Sequence, residues 1–347
     1  MNRLFAVVIV FLAAPLAIAQ APATQPAAPA AVAPILRADT AIDLALLHLE
    51  RRQHADGHFQ SEPMLATTGL ALTSFLATGH APDVGRHGGT VRRAIDYLVR
   101  QSPADGYFGK TDGSRMYGQA IVVVALCQAY GLEQDGLRRA GMRAALAEAV
   151  TVILNAQNVA KPEPHAGGWR YEPASADSDL SVSAWTLIAL CAARDIGLHV
   201  PDPAIANAAA YIRRCAHAER GGFAYQPARE PTAAMTAAGM LALSLATSGD
   251  AREIAAGAKV LREQPIGDAT RFPFYAMYYA NQAAQRVGGE TWKVVSSAAQ
   301  QRLLRTQLPS GAWAHSSSPE EPGEIYATAM AVLTLSVPQR VLPMYGR

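Results

Sequence analysis

The sequence has little of what many functional classes require. Aromatic residues make up 7% and charged residues 17% of its 347 positions, and 30 Lys and Arg against 28 Asp and Glu leave a net charge of +2. The basic residues are scattered, which excludes a phosphate-binding face and a polybasic membrane patch. No nucleic-acid partner is expected. Cysteine is nearly absent: Cys127, Cys191 and Cys215 are an odd set without a CxxC or a Cys/His spacing of the zinc kind, so they read as buried free thiols. Neither a metal nor a cofactor is expected. The Gly-x-Ser-x-Gly elbow of triad hydrolases is missing as well.

What abounds is alanine and aliphatic residues. Half of the chain is hydrophobic, the profile of a helix-rich globular protein. At the N-terminus, Asn2 and Arg3 precede an apolar run from Leu4 to Leu16 that Ala17-Ile18-Ala19 closes, the small-x-small pattern of a cleavage site. Residues 1–19 are therefore expected to be a signal peptide, with export to the periplasm or the extracellular space. Residues 20–37 alternate Ala and Pro and read as an extended linker. The remaining 38–340 form one domain without a transmembrane segment.

Within that domain a short phrase recurs. QHADGHF (Gln53 to Phe59) and QLPSGAW (Gln307 to Trp313) both read Gln-x3-Gly-x-aromatic. Looser copies carry Gln101, Gly106 and Phe108, then Gln157, Gly167 and Trp169, then Cys215 in place of Gln with Gly221 and Phe223, and finally Gln264, Gly267 and Phe272. With Gly57, Gly106, Gly168, Gly222, Gly267 and Gly311 as markers, six copies stand roughly fifty residues apart. Before each lies an amphipathic helix such as AIDLALLHLERRQ, and after each an almost uncharged one such as SVSAWTLIALCAA. A helix apolar on every side is surrounded by other helices. The phrase itself suits a corner: Gly supplies positive φ, the Gln amide satisfies free backbone groups, and the aromatic covers it.

These phrases resemble the QW repeats of squalene and oxidosqualene cyclases, in the terpenoid cyclase and protein prenyltransferase superfamily, over nearly all of residues 40–340. The resemblance implies an all-α fold, an α/α toroid of six helical hairpins, or (α/α)6 barrel, around a central cavity. In such a ring the inner helices start at one mouth, where Glu62, Arg115, Asp177, Asp179, Glu230, Arg271 and Glu324 stand. Acidic residues there also suit helix starts. Asp177-Ser178-Asp179-Leu180 resembles the D-x-D-D or D-x-D-T motif of class II cyclases, which implies Asp179 as proton donor beside Asp177, but Leu180 departs from the pattern. On the capping argument Asp177 or Ser178 is the expected cap, with Asp179 in the first helical turn.

Three functions stay open on this reading. The first is binding of a hydrophobic, isoprenoid-like ligand, or of a protein or polysaccharide partner, at the mouth, with Trp185, Arg170, Tyr171, Tyr117, Arg115 and Arg271 as ligand-facing residues. The second is a terpene cyclase-type isomerase. The third is a polysaccharide lyase or hydrolase with Asp177 or Asp179 opposite Glu230 or Glu324 as its carboxylate pair.

Overall fold

The computed structural model describes residues 38–59, 63–247, 252–264, 266, 270–315 and 321–339, all within the compact unit Ile35–Arg347. The proposed signal peptide and linker, Glu62 and Gly267 lie outside the described residues. Thirteen α-helices are present among the described residues, with isolated β-bridges and no strand. No helix among them is long and apolar enough to cross a membrane.

Six helices form an outer layer: α1 (Ala38–Arg52), α3 (Gly88–Arg100), α6 (Gly136–Gln157), α8 (Asp202–Arg214), α10 (Arg252–Glu263) and α12 (Gly289–Thr306). Each buries one stripe, as α3 does with Val91, Ala94, Ile95 and Leu98 at three- and four-residue spacing. Six others form the inner layer: α2 (Met64–Ala77), α5 (Arg115–Tyr130), α7 (Leu180–Asp195), α9 (Ala233–Ala246), α11 (Pro273–Val287) and α13 (Gly323–Leu335). A single turn, α4 (Phe108–Thr111), precedes α5. In α2 every residue after Met64 is buried. Four hydroxyls inside these helices are satisfied locally: Thr73, Ser74, Thr186 and Thr334 each donate to the carbonyl four residues back at 2.7–2.9 Å.

The inner helices pack in chain order from α2 to α13, and α13 returns to α2. Ser74 Oγ reaches across that last seam to the carbonyl of Ala329 at 3.0 Å. Each outer helix lies on the inner helix of the preceding hairpin, with α1 on α13. The fold is an α/α toroid.

The corner loops explain the recurring phrase. Gln53 Nε2 donates to Gly57 O (3.0 Å) and Thr90 O (2.9 Å). Gln157 Nε2 does the same to Gly167 O and Ala204 O, and Gln307 Nε2 to Gly311 O and Ala41 O, all at 2.8–2.9 Å. Each amide thus ties its own loop to the next outer helix. The corner aromatics Phe59, Phe108, Trp169, Phe223 and Trp313 are fully buried. Four of them donate their backbone N–H to a hydroxyl early in the following inner helix: Phe59 to Thr68, Trp169 to Ser183, Phe223 to Thr236 and Trp313 to Thr328.

Two expectations at the corners need correction. Gln101 is exposed, and in its repeat the amide comes instead from Gln119 of α5, which donates to Gly106 O (2.8 Å) and Ala149 O (3.0 Å). Gln264 is exposed too, and its loop glycine, Gly267, lies outside the described residues. In the third repeat the left-handed glycine is Gly167 (φ +84°) rather than Gly168. Gly168 is small for another reason, because a Cβ there would stand 2.5 Å from the Tyr211 ring. All three cysteines are free and buried, as expected from their number.

Candidate functional site around Asp179

Outer and inner helices alternate, so the inner helices all run the same way and begin at one end of the ring. The start of α7 is the most elaborate of these beginnings. Its loop is pinned by Asp179 N–H to Trp169 O (2.9 Å) and by Ser178 Oγ to His165 O (2.8 Å). Asp179, not Asp177 or Ser178, is the N-cap: at φ −133° and ψ 156° its Oδ1 accepts from Val182 N at 3.0 Å. Extended backbone with a side chain turned back onto the first turn is what a cap requires. Asp177 is displaced from that role by its pairing with Arg170 Nη1 at 2.9 Å.

The capping carboxyl is also fully buried. Its Oδ1 accepts a second hydrogen bond from Ser181 Oγ (2.6 Å), which in turn accepts from the Tyr117 hydroxyl (2.5 Å). Burial raises the Asp179 pKa, outweighing the hydrogen bonds from Ser181, Val182 and Tyr225 and the charge of Arg170. The neutral acid is therefore favoured to higher pH than for an exposed carboxylate. With Oδ1 engaged as acceptor, the proton belongs on Oδ2, a buried atom that makes no hydrogen bond of normal geometry although the Tyr225 hydroxyl stands close to the carboxyl.

Aromatic side chains enclose this acid. The hydroxyls of Tyr171 and Tyr225 meet at 2.6 Å, and the Arg170 guanidinium lies over both rings, at 5.3 and 5.8 Å. Tyr117 packs against Tyr171 with ring centroids 6.1 Å apart. Burial is the main cause that holds the phenols of Tyr225 and Tyr275 above their ordinary range. Tyr117, Tyr275 and Tyr326 keep accessible surface although protein atoms crowd around them. Deeper in the ring Trp185 stacks on Tyr278 (5.7 Å, 9° between planes) and meets Tyr279 edge-on.

The other mouth residues are dispersed into separate pairs. Arg115, left-handed at φ +58°, extends to Glu172 at 3.1 Å, and Glu172 also accepts from Tyr107. Arg271 is exposed and lies over its neighbour Phe272. Glu230 pairs with Arg220 at 2.7 Å and Glu324 with His48 at 2.9 Å. Asp177, Glu230 and Glu324 thus each have a cationic or imidazole partner of their own.

Solved structures share this architecture. Type II terpene cyclase MstE from Scytonema aligns with a TM-score of 0.53 at 17% identity over 88% of this chain and 98% of its own. It is also known with geranylgeranyl dihydroxybenzoate bound as substrate. An α-amylase from Clostridium perfringens aligns at 0.57 and 10% identity, covering 87% and 98% of the two chains. A polysaccharide lyase aligns at 0.51 and 12%, covering 88% and 97%. The fold is terpenoid cyclase-like. No protein-family model and no curated protein matches the chain.

Sequence-based candidates omit Ser181, Tyr225 and Tyr275. A signal for Tyr225 exists: it follows the corner aromatic Phe223 by two residues, as Tyr171 follows Trp169. The parallel is structural, because Tyr171 O accepts from Met116 N at the start of α5 and Tyr225 O from Leu180 N at the start of α7. Each of these loops ties down the first turn of the preceding inner helix.

Proposed function

We propose that this end of the toroid binds a hydrophobic, isoprenoid-like molecule, its apolar body against Tyr117, Tyr275, Tyr326 and Trp185 and its polar or unsaturated end at Asp179. One observation carries the reading: a fully buried carboxyl, whose neutral form burial favours, presents an Oδ2 without a well-formed hydrogen bond among aromatic side chains. An unpaired buried polar atom costs about 1–3 kcal/mol, a cost that a ligand's hydrogen-bond acceptor would remove. The substrate-bound cyclase neighbour, an enzyme of isoprenoid substrates, supports this choice of ligand class.

A second reading rests on the same atom. If the ligand places an alkene at Oδ2, Asp179 can transfer its proton to one alkene carbon, leaving a carbocation and a carboxylate. Ser181 and Val182 already donate to that carboxyl, and the helix end favours negative charge. A later proton loss from the rearranged cation restores the acid, so the net reaction is an isomerisation. Export of the protein belongs to the same proposal and rests on residues 1–19.

The test is a substitution pair with a polyprenol such as geranylgeraniol as probe. Asp179→Asn keeps a donor and is expected to retain binding, whereas Asp179→Ala is expected to weaken it at least about fivefold. Trp185→Ala weakens it too. Under the catalytic reading, Asp179→Asn binds the polyprene yet forms no cyclic product. Absence of saturable polyprenol binding by the folded wild type overturns both.

A further inference from the structure

A different set of ligating side chains sits on the corner loop between α1 and α2. His54 Nδ1 lies 3.2 Å and His58 Nδ1 2.6 Å from the same oxygen, Asp56 Oδ1. The three ligand-type atoms all fall within 4.8 Å of one another. Their sequence, HADGH, is a His-x3-His pair in a loop, outside the helical and Cys/His patterns by which zinc sites are usually read.

The loop is held in shape by contacts that need no metal. Gly57 at φ +108° turns the chain back, so that His54 N donates to His58 O (2.8 Å) and Gly57 N to His54 O (3.0 Å). Gln53 and the buried Phe59 fix the two ends. The His58 ring rests on Tyr97 at 5.4 Å and stacks on His54 at 4.7 Å. Arg100, the neighbouring cation, donates to the backbone carbonyl of Asp56 rather than to its carboxylate, whose Oδ1 also accepts from the His58 N–H at 3.3 Å. The side chains of His54 and Asp56 are 55% and 50% exposed, against 13% for His58, so an ion can enter from solvent.

We infer that His54, Asp56 and His58 bind one divalent transition-metal ion of the zinc type through two imidazole nitrogens and one carboxylate oxygen, with the fourth position left to water. The donor set is the borderline one that Zn²⁺ prefers over Mg²⁺ or Ca²⁺. Ligands about 2.0–2.1 Å from a tetrahedral Zn²⁺ stand about 3.3 Å from each other. The His54–Asp56 separation already fits, and the His58–Asp56 contact needs to open by about 0.7 Å. Three protein ligands with an open position distinguish such a site from a closed structural one.

The experiment uses the full chain without a polyhistidine tag, stripped with a chelator and titrated with Co²⁺. Expected are one Co²⁺ per chain, a tetrahedral visible absorption band, its displacement by Zn²⁺, and a rise in Tm on Zn²⁺ addition. The His54→Ala/His58→Ala double variant should lose the band while its metal-free Tm matches that of the wild type. Asp56→Asn should weaken binding at least about tenfold. If the double variant is destabilised, the single His54→Ala variant, with its exposed side chain, provides the same comparison. No stoichiometric Co²⁺ binding by the wild type, or binding unchanged in the His variants, overturns the inference.

Discussion

Gln307 Nε2 donates to the carbonyl of Ala41 at 2.8 Å, joining residues 266 positions apart. The same amide holds Gly311 O at 2.9 Å, so the last corner grips the first outer helix. Gly311, at φ +89°, presses so close that a Cβ would stand 2.3 Å from the carbonyl oxygen of Leu44 in α1. Gly79 offers the control, with φ +86° and nothing within 4 Å of a Cβ. Forcing Ala into the left-handed region costs about 1–2 kcal/mol, which is the expected effect of Gly79→Ala. Gly311→Ala adds a backbone clash at the seam and should cost at least ~3 kcal/mol in urea unfolding. Equal effects of the two would mean that the seam adds nothing.

The substitution of Gln119 for Gln101 as clamp gives a second contrast. Gln119 is fully buried and holds Gly106 O and Ala149 O, whereas Gln101 points to solvent. Gln119→Ala should cost about 2 kcal/mol or more, because it leaves a buried loop carbonyl without its donor and opens a void. Gln101→Ala should fall within about 0.5 kcal/mol of the wild type. Urea midpoints of the two variants settle the order, and the reverse order would restore the role expected from the sequence.

Gln119 also shows where legibility stops. The helices, their two layers and the buried corner aromatics follow from three- and four-residue periodicity and from the spacing of Gly and aromatic residues. Those are local signals. Gln119 stands in the inner helix where its counterparts are Thr68, Ser183, Thr236 and Thr328, and only the packed corner reveals that a longer side chain there can replace an absent clamp. Asp179 is a similar case. Its cap geometry depends on the Trp169 carbonyl and its burial on tyrosines from three other segments, Tyr117, Tyr225 and Tyr275, so the motif alone points to the residue but not to its charge state. Ring closure by Gln307 and Ala41 was legible only through the family resemblance.

Residues 1–19 carry a prediction that needs no structure. If Ala17-Ile18-Ala19 is a cleavage site, the protein recovered from its native envelope should begin at or near Gln20. Terminal sequencing checks this, and recovery of Met1 on a membrane-bound form would replace the signal peptide with an anchor.

The charge state of Asp179 can be read from stability. Burial raises its pKa in the folded protein above that of the unfolded chain, so between those two values the folded state holds a proton that the unfolded state has lost. Stability then falls as pH rises through that window, because the unfolded state binds fewer protons than the native one. The contribution is fully present below the unfolded pKa and lost as pH rises through the folded one. Asp179→Asn keeps the shape and removes the titration, so the variant should gain on the wild type with rising pH. The difference in unfolding free energy, variant minus wild type, is expected to be more positive at pH 7 than at pH 4. A cap that worked as an ionised carboxylate would give the opposite slope, since its folded pKa would lie below the unfolded one and its benefit would vanish in acid. Urea titrations at the two pH values, with Asp177→Asn as a control for a half-exposed carboxylate paired with Arg170, distinguish these signs without any ligand.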